Sequence, residues 1–256
     1  MAKLSKFALS TMAAMIVVAS AASGFFGVLI GRQLALNIMC CQVPRSRNIV
    51  LSVKEILGLA RFYSQIGQDK WVSETVFPDV RNGFFLDVGS GDGTFGSNTK
   101  ELEEKGWTGI CIDPFPKNMQ GRTCQMFKEV VYSKAGEKMT FRTAGDLGGL
   151  EDNLGRWKSE ADKAAGTVDF TTVILGDILE RAHAPHLIQF ISLDIEGAEL
   201  EALRGFPFDQ YKFGALAVEH NYEETKRSGM EKLLNSQGYT RVYTWYQDDF
   251  YLPANP

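Results

Sequence analysis

The chain has 256 residues, 45% of them apolar with 17 Phe, and a net charge of -4, which suits one ordinary domain plus an appendage. That composition excludes a disordered chain, and the acidic balance gives no footprint for nucleic acid, so no nucleic-acid partner is expected. The four Cys make no C-x-x-C metal spacing. Cys40 and Cys41 are adjacent, while Cys111 and Cys124 fall in apolar strand-like stretches and read as buried thiols rather than disulfides.

Residues 1–41 carry the appendage. From Phe7 to Gly31 no residue is charged, and Lys3, Lys6 and Arg32 flank the run. At about 1.5 Å per residue this is long enough to cross a bilayer core of about 30 Å, so one transmembrane helix is expected over about 8–31. A cleaved signal peptide competes, because Ala19-Ser20-Ala21 fits a small-x-small cleavage site, but the apolar run continues well past it. Ser23, Gly27 and Gly31 recur every four residues and would let a partner helix approach closely. The Lys and Arg count on the two sides nearly ties, leaning to a single-pass protein with its main domain on the cytoplasmic side. Residues 42–61 read as a short linker, QVPRSR, followed by an amphipathic helix.

The main domain, 62–256, begins with a helix over GQDKWVSETVF. FFLDV is a short apolar run of the kind found in buried parallel strands, and GSGDGTFG turns it into a helix over TFGSNTKELEEKG. GICID is the second strand. Further strands are expected at CQMFKEVVYS, KMTFRT, HLIQFISLD, KFGALAVEHN and TRVYTWY, with TTVILGDILERA a strand running into a helix and further helices at EGAELEALRG and TKRSGMEKLLNSQG. Strand and helix alternate, so the class is α/β. Ligands of such sheets sit beyond the carboxyl ends of the strands, which should bring Asp87, Asp113, Asp194 and Glu219 to one crevice.

Gly91, Gly93 and Gly96 satisfy G-x-G-x-x-G, and Asp113 lies near the place of a ribose-binding acid, which suggests a dinucleotide enzyme. Asp87 and Asp92 speak against it, because carboxylates beside the turn repel a pyrophosphate. S-adenosylmethionine has an ammonium and a sulfonium where those carboxylates lie, together with a ribose. The charges favour a methyl donor.

SQIGQD, FFLDVGSGDGTFGSNT, GWTGICIDPFP and above all SLDIEGAELEALRGF, followed by VEHN and a late GY, resemble the FkbM-type methyltransferases over roughly 62–251. The resemblance implies a seven-stranded Rossmann-like, class I methyltransferase sheet with helices on both faces. It also implies S-adenosylmethionine as cofactor and methyl transfer to a hydroxyl of a small molecule, sugar or lipid-linked acceptor. Carried over by position, Asp87, Gly89, Ser90, Gly91, Asp92 and Gly93 would hold the methionine end, Asp113 the ribose, and Val131 would flank the adenine, with Asp194 at the donor edge. The ribose acid is often Glu in the family and is Asp here. Some members of this type serve trafficking rather than catalysis, so an inactive subunit of a membrane complex is the alternative.

Candidates for the proton acceptor are Asp194, Glu196, Glu219 and His220, of which His220 alone has an ordinary pKa near neutrality. Asp194, Glu196 and Glu199 could also offer oxygens to Mg²⁺, but spacing shows no convergent geometry and no metal is expected. Glu199 reads as a helix-start carboxylate. His183 and His186 read as surface residues, and Ser97, Asn98 and Thr99 either reach the ligand or begin a helix.

Overall fold

The computed structural model describes residues 61–163 and 166–254. The anchor, the stripe Ser23, Gly27 and Gly31, the linker and the amphipathic helix, expected over residues 1–60, lie outside the described residues. Among those described, no helix is long and apolar enough to cross a membrane.

A short helix α1, Gln68–Lys70, continues as a π-helical turn over Trp71–Val76. Strand β1, Phe84–Val88, leads through the glycine turn into α2, Lys100–Glu104, then β2, Thr108–Ile112, and β3, Gln125–Phe127. A second, smaller sheet follows, built from β4, Lys138–Arg142, β5, Gly149–Leu150, and β6, Thr167–Thr171, with the short helix α3, Lys158–Ala161, between the last two. The chain returns through α4, Leu175–Arg181, to β7, Leu187–Leu193, then α5, Glu199–Arg204, and β8, Lys212–Glu219. It ends with α6, Glu224–Ser236, and the hairpin β9, Tyr239–Trp245, and β10, Asp248–Pro253.

The large sheet has seven strands in the order β3-β2-β1-β7-β8-β10-β9. The pairs from β3 to β8 are parallel, and β10 runs antiparallel to both β8 and β9. One face packs Phe85, Phe190, Ala215, Ala217 and Phe250 against Val72 and Leu102. The other packs Leu86, Ile110, Ile191, Leu216 and Val218 against Leu175, Ile178, Leu203, Met230 and Leu234. Helices therefore cover both faces, and the nearly continuous apolar strands are what a doubly covered sheet requires. Strand order reverses between β1 and β7, where a parallel sheet opens a crevice at its carboxyl edge.

Five expectations change. The strand expected at TTVI lies earlier, as β6 over Thr167–Thr171, and Val173 makes only a bridge before α4. Helix α2 starts only at Lys100, because residues 94–99 are used by the turn: Asp92 Oδ1 accepts from the N–H groups of Thr94 and Phe95, and Ser97 Oγ accepts from that of Lys100. The strand expected over CQMFKEVVYS stops at Phe127, after which Val131 makes only a bridge to Val173. The final strand is a hairpin, and β10 is added by QDDFYLP. Cys111 and Cys124 are a disulfide, with Cα atoms 5.7 Å apart, because β2 and the approach to β3 lie side by side.

Candidate functional site

Beyond the carboxyl ends of β1, β2, β7 and β8 lies a pocket of about 390 Å³, within the usual range for small-molecule sites. Of the residues singled out from sequence, Asp87, Gly89, Ser90, Gly91, Asp92, Asp113, Val131, Asp194, Glu196 and Glu219 line it, as do Ser97 and Asn98. Gly93 and His220 do not.

Local sequence explains the first wall. Gly89 has φ 87, and a Cβ there would sit 1.7 Å from the carbonyl oxygen of Asp194, so only glycine lets β1 and β7 converge at the crevice. Gly93 serves the loop behind the pocket: its N–H donates to Lys117 O at 2.8 Å, and a Cβ would meet Asn118 O at 2.7 Å. The Ser90 hydroxyl is buried and has no hydrogen-bond partner in the protein, the condition of a group waiting for a ligand.

Asp87 is 2% exposed, and its Oδ2 accepts from the Thr99 hydroxyl at 2.5 Å. Burial raises its pKa to about 6 against the opposing pull of Arg122 and the Thr99 hydrogen bond. Asp113 turns Oδ2 to the Gly91 N–H at 2.9 Å and Oδ1 to that of Phe115 at 2.7 Å, which ties the second strand's acid to the glycine turn. Asp92, read from sequence as a ligand carboxylate, caps the turn with Oδ1 and accepts from Asn118 Nδ2 with Oδ2. Those hydrogen bonds outweigh its burial and lower its pKa.

Carboxyls crowd the other wall. Asp194, Glu196 and Glu219 each offer an oxygen within 4.8 Å of the others. Such a spacing suits either a small divalent cation or carboxyls that share protons. Burial raises all three pKa values: Glu196, pushed further by Asp194 and Glu199, reaches about 8, and Glu219 rises through Asp194 and Glu196 as well. Glu219 is hydrogen-bonded to Asp194 in the sense that lowers Asp194 and raises Glu219, while burial holds both above the ordinary carboxylate range. Asn221 Nδ2 donates to Glu219 at 2.6 Å and to Glu196 at 3.2 Å, holding the pair. Glu199 is the structural carboxyl of the group: Oε1 accepts from the N–H groups of Ile195 and Gly197, and burial raises its pKa to about 7.

His220 corrects the sequence reading. Its ring is buried outside the pocket, with Nδ1 accepting from the Tyr222 N–H at 3.0 Å and Nε2 lying 3.8 Å from Asp249. Burial lowers its pKa against the opposing pull of Asp249, and the ring is not among the groups that line the crevice.

Sequence reasoning missed the roof. Gln65 reaches the pocket because Ser64 bridges Gly96, and the small sheet adds Phe141, Thr143 and Leu150. Phe115, Phe141 and Phe170 pack edge to face or tilted, their ring centres 5.5–5.9 Å apart. Phe95, 83% exposed, stands at the rim. Asp248 was missed with its strand. It faces Glu219 across β8 and β10, accepts from Gln68 Nε2 at 2.8 Å, and its pKa is raised to about 7 by burial and Asp194. This gives the SQIGQD motif a purpose: Gln68 supports the acid cluster, while Asp69 accepts from the N–H groups of Tyr63, Ser64 and Lys70 and folds its own loop.

No curated protein and no solved structure matches the chain. The family model for the methyltransferase FkbM domain matches residues 87–241, which run from the end of β1 into β9 and take in the glycine turn, Asp87, Asp113, Asp194, Glu196 and Glu219. The match spans more than half of the 256 residues, and the chain belongs to the FkbM methyltransferase domain family.

Proposed function

We propose that the protein is an S-adenosylmethionine-dependent methyltransferase that acts on a hydroxyl. The observation that carries this reading is the division of the pocket into two acidic walls, one built on the glycine turn and one on the carboxyl trio. A pocket lined by Asp87, Asp113, Asp194, Glu196 and Glu219 suits a cationic donor and repels a pyrophosphate.

The residues present fit that donor. The unpartnered Ser90 hydroxyl, the cradle at Gly89 that a Cβ would fill, and Asp87 would hold its amino-acid end; Asp113 and Val131 would hold its nucleoside end. When bound, S-adenosylmethionine supplies a methyl group on a positively charged sulfur, ready for in-line displacement. The protein then has to align the acceptor and take its proton. Asp194 is the group for that task, since it lines the pocket beside Glu196 and Glu219 and its hydrogen bond with Glu219 favours its charged form. Phe115 and Phe141, packed on Phe170, give the pocket an apolar wall beside its acids.

The acceptor is a small molecule, a glycan or a lipid-linked hydroxyl at a membrane, with residues 8–31 as anchor and Ser23, Gly27 and Gly31 as a face for a partner helix. The Cys111–Cys124 disulfide supports a reading in which the domain faces a compartment where disulfides persist, and it weighs against the slight cytoplasmic lean of the nearly tied Lys and Arg count. Finding the two thiols reduced in cells would return it to the cytoplasmic side. The function itself is tested by incubating the full chain with a donor carrying a deuterated methyl and a mixture of hydroxyl acceptors. A deuterated methyl group bound to an ether oxygen, absent with Asp194→Asn, is the expected result; no transfer to any hydroxyl would overturn O-methylation.

A further inference from the structure

Arg122 entered no sequence-based argument, yet its side chain is only 2% exposed and it reaches five groups around the donor wall. Nε donates to Glu103 Oε2 at 2.7 Å. One terminal nitrogen donates to Gly93 O and to Ser97 Oγ, both at 3.2 Å. The other donates to Thr99 Oγ1 at 2.7 Å and contacts Cys111 Sγ at 3.3 Å. The Thr99 hydroxyl that it engages is the one that donates to Asp87. A planar guanidinium with fixed N–H directions can serve all these groups at once, whereas an ammonium cannot.

The arginine is itself held. Cys124 is joined to Cys111 in β2, closing a loop that carries Asp113, Lys117 and Arg122. The same loop is laced to the glycine turn: Gly91 N–H donates to Asp113, Gly93 N–H to Lys117 O, and Lys117 N–H to Gly91 O. Glu103 of α2 balances the guanidinium and accepts from the N–H groups of Thr123 and Cys124, so the loop, the disulfide and α2 converge on one buried ion pair.

We propose that Arg122, fixed by the Cys111–Cys124 disulfide, is a positioning residue of the donor site: it sets the shape of the glycine turn and, through Thr99, the orientation and charge of Asp87. The charged groups that bear on Asp87 are Arg122 from the loop, Asp194 from the end of β7 and Asp113 from the end of β2, together with the Thr99 hydroxyl. Arg122 is the only cation in that set, so its loss leaves Asp87 among carboxyls and raises the pH at which it ionises. A purely structural ion pair between Glu103 and Arg122 would affect stability and leave the pH dependence of ligand binding where it was.

The inference rests on the methyl-donor reading, and the test separates the two. Titration of the full chain with S-adenosylhomocysteine from pH 5 to 8 should show affinity rising as Asp87 ionises near pH 6. Arg122→Gln should move that midpoint up by about one pH unit and weaken binding about tenfold at neutral pH. Arg122→Lys should restore the midpoint, because the charge is kept, while affinity stays a few fold low because the fork is lost. If Arg122→Gln does not fold, Cys124→Ser carries the test, since freeing the loop should lower affinity several fold with a thermal transition still present. Wild-type protein that binds no S-adenosylhomocysteine at any pH would overturn the donor reading and this inference with it. Wild-type binding together with an unshifted midpoint in Arg122→Gln, or with unchanged affinity in Cys124→Ser, would overturn this inference alone.

Discussion

Asp248 and Asp249 are neighbours on β10, and they belong to opposite electrostatic regimes. Asp249 is fully buried and accepts from Arg227 Nε at 2.7 Å, Arg241 at 2.9 Å and Thr244 Oγ1 at 2.6 Å; these partners outweigh burial and lower its pKa. Asp248 stands beside Glu219 behind the crevice, and burial together with Asp194 raises its pKa to about 7. A pleated strand sends successive side chains to opposite faces, so one residue step separates a structural charge from a member of the acid cluster. On β10 the acid answered by arginines belongs to the scaffold, and the acid answered by an amide among other acids belongs to the carboxyl cluster.

The largest effect that would break this contrast is on stability. Asp249→Ala strands two arginine heads at a buried position, and chemical denaturation should show a loss of about 3 kcal/mol or more. Affinity for S-adenosylhomocysteine in the protein that remains folded should stay within a few fold. Asp248→Asn, in contrast, should cost little or even stabilise at pH 8, because it removes an acid from a crowd of acids.

Asp194→Asn should lower turnover about 10²-fold or more while donor affinity changes only a few fold, as measured on purified full-length protein. His220→Ala gives the opposing control. With its ring outside the pocket, it should alter folding stability and leave affinity for the donor unchanged within error; a loss of turnover equal to that of Asp194→Asn would return His220 to the mechanism.

The sign of the pH dependence follows from the crevice. Asp194, Glu196, Glu199, Glu219 and Asp248 have folded pKa values above their ordinary ones, so the folded state binds more protons than the unfolded state between about pH 4.5 and 8. Stability of the ligand-free protein should therefore fall as pH rises through that window, each such carboxyl contributing at most about 1.4 kcal/mol per pH unit. Glu196→Gln should flatten the slope, most visibly between pH 6 and 8. A stability that rises from pH 5 to 8 would contradict the raised values. The smallest change belongs to the turn: Asp92→Asn keeps the acceptor oxygen for the Thr94 and Phe95 N–H groups, so the thermal transition should move by only a few degrees.

Much of this arrangement is visible in the chain itself, because apolar runs that end in an acid or a glycine mark strands that end at a crevice. FFLDVG, GICID and ISLD each show it, and the structure brings Asp87, Asp113 and Asp194 to one pocket. What the chain hides has physical reasons. The β9–β10 link contains Tyr246 at φ 51 and no Gly, Asn or Pro to announce a turn, so β10 and Asp248 went unseen. Cys111 and Cys124 are 13 residues apart with no spacing rule to pair them; only the parallel packing of β2 and β3 brings them together. His220 follows Glu219 in VEHN, and strand alternation sends its ring to the far side. Arg122 reads as one basic residue in a loop until the fold places five groups of the glycine turn, α2 and β2 around it.

The central claim, that one acidic pocket holds a methyl donor through Asp87, is met most directly by calorimetric titration of the full chain with S-adenosylhomocysteine. Wild-type protein should bind, and Asp87→Asn, which removes a charge-assisted contact worth about 1.5 to 3 kcal/mol, should bind more than tenfold more weakly at pH 7.5. No binding by wild type, or equal affinity of the two proteins, would contradict the account.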